Sequence, residues 1–270
     1  MLNLFIYSVM SCNIIFLNES DALSRLEQSE LMRTPLIIKG AMKELNKITL
    51  KEFKMKFGHH KVLAKRTNYY SHLDKDRFGT YEERMDQNDT SPKNSIHISI
   101  KDFIENAMSH DSLVLFDREP AMSILEQKLL DDLRYIQGPR ILDRAKETQF
   151  LSLGGGVNGV NMANHGFTWI GLISGKKFWV VAPPETQRPE EVECYRDVQR
   201  IPHIKDTMRC VQEEGDIIAV PTAWWHGTCN LHDDTIGIGK QDSCDLGCHS
   251  EDTDGFCINE KKYKTCWLRS

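Results

Sequence analysis

The chain has 270 residues, of which 40% are hydrophobic and 27% charged, and a net charge of -5 at pH 7. That length supports one large domain with a sizeable core, built without metal or disulfide staples. The acidic balance argues against a nucleic-acid partner, which calls for a basic face; the basic run at 61–66 (KVLAKR) reads as a solvated strand or loop edge.

In chain order, residues 1–18 are nearly free of charge until Glu19. The stretch is shorter than the ~20 apolar residues of a membrane span, so no span is expected in the mature chain. It fits the h-region of a secretory signal peptide, although the basic n-region is missing. The alternative is a buried first strand.

Residues 19–149 are expected to give helices and strands that pack on the domain core. Leu23, Leu26 and Leu31 have helical spacing over 23–32, and 35–39 reads as a buried strand. Thr49 and Glu52 form a capping-box signature for a short helix through Phe57, stopped by Gly58. A strand follows at 62–65, then a helix from Ser99 and Asp102 through Met108, then a strand at 112–116. Ser123 and Glu126 open the longest helical pattern, whose stripe is Ile124, Leu125, Leu129, Leu130 and Leu133; Gly138 and Pro139 end it.

From residue 150 the pattern becomes short apolar runs cut by turn residues: 150–153, 157–162, 167–173, 178–182, 208–212, 216–220, 226–230 and 235–240. Eight such runs predict a mainly β domain with flanking helices, an α+β chain built on a double-stranded β-helix, or cupin-like jelly-roll barrel, over 150–240. Gly154, Gly155 and Gly156 lack the strand–loop–helix context of a phosphate cradle and read as a turn or bulge.

The tail, 241–270, is polar and holds Cys244, Cys248, Cys257 and Cys266. Their spacing is not a usual zinc pattern, so two disulfides in an oxidising compartment are preferred to a zinc site. Cys194, Cys210 and Cys229 then leave an odd thiol if Cys12 departs with a leader. Asn88 and Asn18 begin glycosylation triplets. Together these features predict a glycoprotein of the secretory pathway, in the endoplasmic reticulum lumen or secreted. His59, His60, His72, His97 and His110 have no shared spacing and are expected on the surface.

His165 and His226 each lie at the edge of an apolar run, and two such imidazoles with a carboxylate are an iron-oxygenase ligand set. The surrounding residues resemble the JmjC family of 2-oxoglutarate oxygenases. The matching pieces are Gly159-Val160, His165-Gly166, Gly175-Lys176-Lys177-Phe178-Trp179, Pro183-Pro184-Glu185, Gly215-Asp216, Pro221, and Trp224-Trp225-His226 followed by Asn230-Leu231. The likeness runs over about 30–240 and leaves the tail outside.

The resemblance implies Fe(II) on a His-x-(Asp/Glu/His) pair plus a distal His. It puts His165 at the second position and His226 at the distal one, with Ala163 where the first histidine belongs. A shifted register would offer Phe167 as a partner, which cannot bind metal; His203, His232 or Asp233 are the candidates to substitute. Lys177 is implied as the cation that pairs with 2-oxoglutarate, against a plainer reading of Lys176 and Lys177 as a solvated turn. Trp224 or Trp225 is expected to pack beneath the distal histidine.

Two functions compete. In the first, Ala163 marks a non-catalytic or weakly catalytic module that binds a protein partner. In the second, His165, Lys177 and His226 serve an active Fe(II)- and 2-oxoglutarate-dependent protein hydroxylase, with a histone demethylase its least favoured version. A cupin-like binding domain without oxygenase ancestry is the third class.

Overall fold

The structure is a computed structural model that describes residues 12–18, 33–42, 49–66, 95–107, 113–117, 147–156, 158–190, 192, 194–195 and 197–242. The helices expected at 23–32 and from Ser123, the four tail cysteines, Asn88, His72 and His110 lie outside the described residues.

Two short strands, β1 (Ile15–Leu17) and β2 (Leu36–Ile38), are followed by helix α1 (Leu50–Phe57) and strands β3 (Lys61–Arg66), β4 (Ser95–Ser99) and β5 (Leu113–Asp117). Among the described residues eight more strands follow: β6 (Glu147–Gly154), β7 (Gly159–Ala163), β8 (Thr168–Ser174), β9 (Lys176–Ala182), β10 (Met208–Glu213), β11 (Ile217–Val220), β12 (Trp225–Asn230) and β13 (Thr235–Asp242). All eight runs expected from 150 onward are strands. The helix expected from Ser99 is only a turn, Ile100–Asp102, which passes into π-helical Phe103–Ala107; β4 precedes it and was not expected.

The strands form a nine-stranded sheet, β1-β2-β11-β8-β13-β6-β5-β3-β4, and a four-stranded sheet, β10-β9-β12-β7. From β6 the chain alternates between them, leaving only the β9–β10 connection within one sheet. The described strands form two separate sheets and no closed barrel.

Period-two alternation divides the apolar residues among three layers. Phe150, Ile170 and Ile218 of the large sheet share one cluster with Trp179, Val181 and Cys210 of the small sheet, so the two sheets pack face to face. On the other face of the large sheet, Leu151, Leu153, Trp169 and Ile217 meet Phe53 and Phe57 of α1 and Phe103. On the far face of the small sheet, Phe178, Val180 and Cys229 are covered by Val192 and Ile201 from the 183–207 connection.

Helix α1 starts as its sequence requires. The Thr49 side chain accepts from Glu52 N–H, and the Glu52 carboxylate accepts from Thr49 N–H at 2.8 Å. Phe53 and Phe57, four apart, then bury one face; truncating either to alanine should cost ~3–5 kcal/mol. Gly58 stops the helix for a reason other than a left-handed cap: its φ is -59°, and a Cβ there would strike the Lys54 carbonyl.

Gly175 alone separates β8 from β9. Its φ is +83°, and a Cβ would lie 2.7 Å from Thr235 Cα, so this change of sheet needs glycine.

Residues 12–18 belong to the folded body, although the sequence placed them at the end of an export leader. β1 pairs in parallel with β2, Ile15 opposite Leu36, while Ile14 and Leu17 are buried. Cys12 forms a disulfide with Cys210 on β10, and Cys194 forms one with Cys229 on β12. No free cysteine remains among the described residues; Cys210, the thiol left odd if Cys12 departs with a leader, is bonded to Cys12 here. Two disulfides fit an oxidising compartment. No described helix is long and apolar enough to cross a membrane.

Candidate functional site

The site candidates lie on the faces of the two sheets that meet. On β12, alternation puts His226, Thr228 and Asn230 on one face, and β9 answers with Val181, Trp179 and Lys177 in register. On the other side of β12, Ala163 is the direct partner of His226. The corner expected to hold the first iron ligand is therefore beside the distal histidine and carries a methyl group.

His165 stands just beyond β7 and returns toward β12. Its Nε2 is 2.9 Å from His226 Nε2, and the rings meet edge to face at 82° with centroids 4.4 Å apart. A turn over 221–224 fixes the approach. Ala223 N–H donates to the His165 carbonyl at 2.8 Å, and Ala223 adopts a left-handed φ of 67°. Nδ1 of His165 is 2.8 Å from the Gly166 carbonyl, and Nδ1 of His226 is 3.0 Å from the Trp224 carbonyl. Each Nδ1 thus faces a carbonyl oxygen, which only accepts, and the two Nε2 atoms lie within hydrogen-bond distance of each other.

Lys177 is 2% exposed, on the same face of β9 as Trp179, and this rules out a solvated turn at that position. Its Nζ reaches Ser152 Oγ of the opposite sheet at 3.3 Å. Burial lowers its pKa from 10.5 to about 7. The neighbour, Lys176, is the solvated member of the pair and meets Glu213 at 3.0 Å. Beside Lys177, Thr228 Oγ1 and Asn230 Oδ1 are buried without a hydrogen-bond partner. A buried amine beside an unsatisfied hydroxyl suits a small carboxylate, which would accept from both, whereas Asn230 Oδ1 is an acceptor that calls for a donor. The residues present thus fit the carboxylate end of 2-oxoglutarate.

They do not fit iron in the expected way. Among the described residues no group of three or more His, Cys, Asp or Glu is placed to share a metal ion. His203, His232 and Asp233 accordingly do not complete a triad with the pair. Asp233 instead accepts from Gly156 N–H at 3.2 Å, and the 155–158 segment turns back through Asn158 N–H to the Gly155 carbonyl.

Several motif residues prove structural. Asp216 is buried, accepts from Gly40 N–H at 3.0 Å and Glu213 N–H at 3.1 Å, and pairs with Lys39 Nζ at 2.6 Å. It braces the β10–β11 turn, where Gly215 has a φ of 86°. Trp225 faces away from the site with its indole N–H on the Thr186 carbonyl at 3.1 Å, while Trp224 packs against the cluster between the sheets. His60 is buried, contrary to the surface position expected of it.

Gln212 was missed by the sequence reading. Its amide oxygen accepts from Trp179 Nε1 at 2.9 Å and its nitrogen donates to the Ile170 and Asp216 carbonyls, which fixes the indole whose ring centre is 6.3 Å from that of His226. Thr228 was missed as well, and Asn230 was read only as part of the resembling motif. Counting by twos from His226 along an apolar strand would have found them.

No protein-family model matches the chain. In an alignment 84 positions long that covers 27% of this chain, it is 33% identical to the arginine-specific demethylase JMJ20 of Arabidopsis thaliana. The aligned part spans 18% of that protein's length. This local likeness supports a relationship to JmjC-type proteins and carries no activity with it.

Proposed function

We propose that this chain is a JmjC-type jelly roll that has lost its iron corner and works as a non-catalytic protein-binding module in the secretory pathway. The observation behind the reading is Ala163 as the cross-strand neighbour of His226. A methyl group supplies no electron pair, and two imidazoles alone lack the carboxylate of an iron facial triad. Losing one direct ligand should weaken iron at least as much as losing an outer partner, 10–100-fold or about 1.4–2.7 kcal/mol.

The jelly-roll assignment is supported by the way β6 to β13 alternate between the sheets, in the orders β11-β8-β13-β6 and β10-β9-β12-β7. Within the family, we read the sequence as most similar to JmjC domain-containing protein 8. In this reading Lys177 with Thr228 keeps a carboxylate-binding end in the absence of the iron set. Two disulfides favour the endoplasmic reticulum lumen or secretion, and in this reading any leader is cut before Cys12. Asn18, exposed after β1, and Asn88 are the proposed glycan acceptors.

A second reading, an active Fe(II)- and 2-oxoglutarate-dependent protein hydroxylase, is favoured by the 2.9 Å approach of the two imidazoles and the buried Lys177. Purified protein, supplied with Fe(II) and 2-oxoglutarate under air, separates the two. The proposed function predicts no succinate above background with any protein substrate offered. Stoichiometric tight iron with substrate-triggered succinate would replace it with the hydroxylase.

A further inference from the structure

We propose that Lys177 is a carbamate site: its side-chain amine adds carbon dioxide reversibly, and Asn230, Thr228 and Ser152 hold the product. The inference goes beyond the proposed function. It rests on the groups around this lysine, not on the lost iron corner or the family relationship.

Lys177 and Asn230 are direct cross-strand partners on β9 and β12, and Thr228 shares their face two positions away. The Cβ atoms of such a pair lie about 4.5–5.5 Å apart. All three residues are at most 4% exposed, and Ser152 Oγ closes the opposite side at 3.3 Å from Nζ. Two needs are left unmet there. Thr228 Oγ1 has a hydrogen to donate and no acceptor, and Asn230 Oδ1 has lone pairs and no donor. Buried polar atoms without partners are rare enough to require a reason.

An ammonium offers only donors, and a free carboxylate only acceptors. A carbamate offers both. Its N–H, carried on Nζ itself, is a donor for Asn230 Oδ1, and its two oxygens are acceptors for the hydroxyls of Thr228 and Ser152.

The reaction balances without a further reagent. The Nζ lone pair forms the N–C bond, one C=O pair moves onto oxygen, and the nitrogen gives one proton to water. R–NH₂ and CO₂ thus become R–NH–COO⁻ and H⁺. Only an unprotonated amine reacts, and burial lowers the pKa of Lys177 to about 7. At pH 7.5 about three-quarters of this amine is then free, against roughly one in a thousand for an ordinary lysine. Carbon dioxide is uncharged, so its entry between the sheets desolvates no charge. A dicarboxylate pairs with the protonated amine and CO₂ takes the unprotonated one, so the two are alternative occupants of one lysine.

The full chain, with its disulfides intact, is incubated near pH 8 with bicarbonate labelled with carbon-13. The carbamate is fixed by alkylation with a trialkyloxonium salt, and peptide mass spectrometry locates the labelled lysines. We expect at least tenfold more label on Lys177 than on Lys205, whose side chain is 92% exposed. At equal dissolved CO₂ the label should fall at least fivefold from about pH 8 to about pH 6. Asn230→Asp puts a carboxylate opposite the amine and holds its proton, so it should lower the label at least tenfold. The comparison of Lys177 with Lys205 needs no variant. Lys177 labelled no more than Lys205, or labelled equally in Asn230→Asp, would overturn the proposal. Neither result alters succinate production, on which the non-catalytic reading stands or falls separately.

Discussion

Lys177 Nζ and Ser152 Oγ meet 3.3 Å apart across the space between the two sheets. A hydroxyl offsets little of the cost of burying an ammonium, and burial lowers the lysine's pKa from 10.5 to about 7. Between those values the unfolded chain holds a proton that the folded lysine does not, so this group makes stability rise with pH across the window. Its penalty is complete below about pH 7 and gone above pH 10.5; its full size is on the order of 5 kcal/mol. Urea unfolding at pH 7 and 9.5 should show that rise in the wild type and a flatter profile in Lys177→Met, with the variant more stable at pH 7. Parallel profiles would contradict the burial of a titrating amine.

A small dicarboxylate should reverse the penalty by pairing with the ammonium. Binding of 2-oxoglutarate or succinate above pH 7 is then expected to take up close to one proton per site. Calorimetry in buffers of different ionisation heat measures this directly. Affinity should fall as pH rises from 7.5 to 9.5, and Lys177→Met should reduce it at least tenfold. Binding that is indifferent to that substitution would remove the carboxylate pocket.

Ala223 holds the His165 loop from a left-handed φ of 67°, a conformation that costs an L-residue ~1–2 kcal/mol. Glycine has no such cost but loses more chain entropy on folding. Ala223→Gly should therefore match or exceed wild-type stability by up to about 1 kcal/mol. Ala223→Val, β-branched at a positive φ, should lose about 2 kcal/mol or more. Thermal or urea denaturation of the pair checks the sign, and a stable valine variant would show that the turn relaxes.

The disulfides close loops of very different length. Cys194 and Cys229 are separated by 35 positions and Cys12 and Cys210 by 198. The loop-entropy relation gives about 4 and 5 kcal/mol respectively. Peptide mapping without reductant should recover these two pairs, and Cys12→Ser with Cys210→Ser should remove the tether between the start of β1 and β10 of the small sheet without displacing His165. Any other partner for Cys12 would contradict the placement of the chain before β1 against β10.

The eight strands from β6 onward were legible because period-two alternation and glycine or proline breaks are local signals, and the capping box of Thr49 and Glu52 was local too. β1 was not, because an uncharged apolar stretch serves equally as a leader and as a buried strand, and its pairing with Leu36 and the Cys12–Cys210 bond are long-range contacts. The cysteine pairs were hidden for the same reason, since chain separation carries no record of which strands become neighbours. His165, His226 and Lys177 could be picked out as candidates by sequence. Their register with Ala163 and Asn230, and the unsatisfied atoms beside Lys177, arise only when the sheets are assembled.

The most direct test is equilibrium Fe(II) binding by the wild type and Ala163→His, measured without air in the presence of 2-oxoglutarate. The account predicts weak, substoichiometric iron in the wild type and at least tenfold tighter iron in the variant, because the new imidazole occupies the place beside His226. Tight, stoichiometric iron in the wild type, with no gain from Ala163→His, would contradict it.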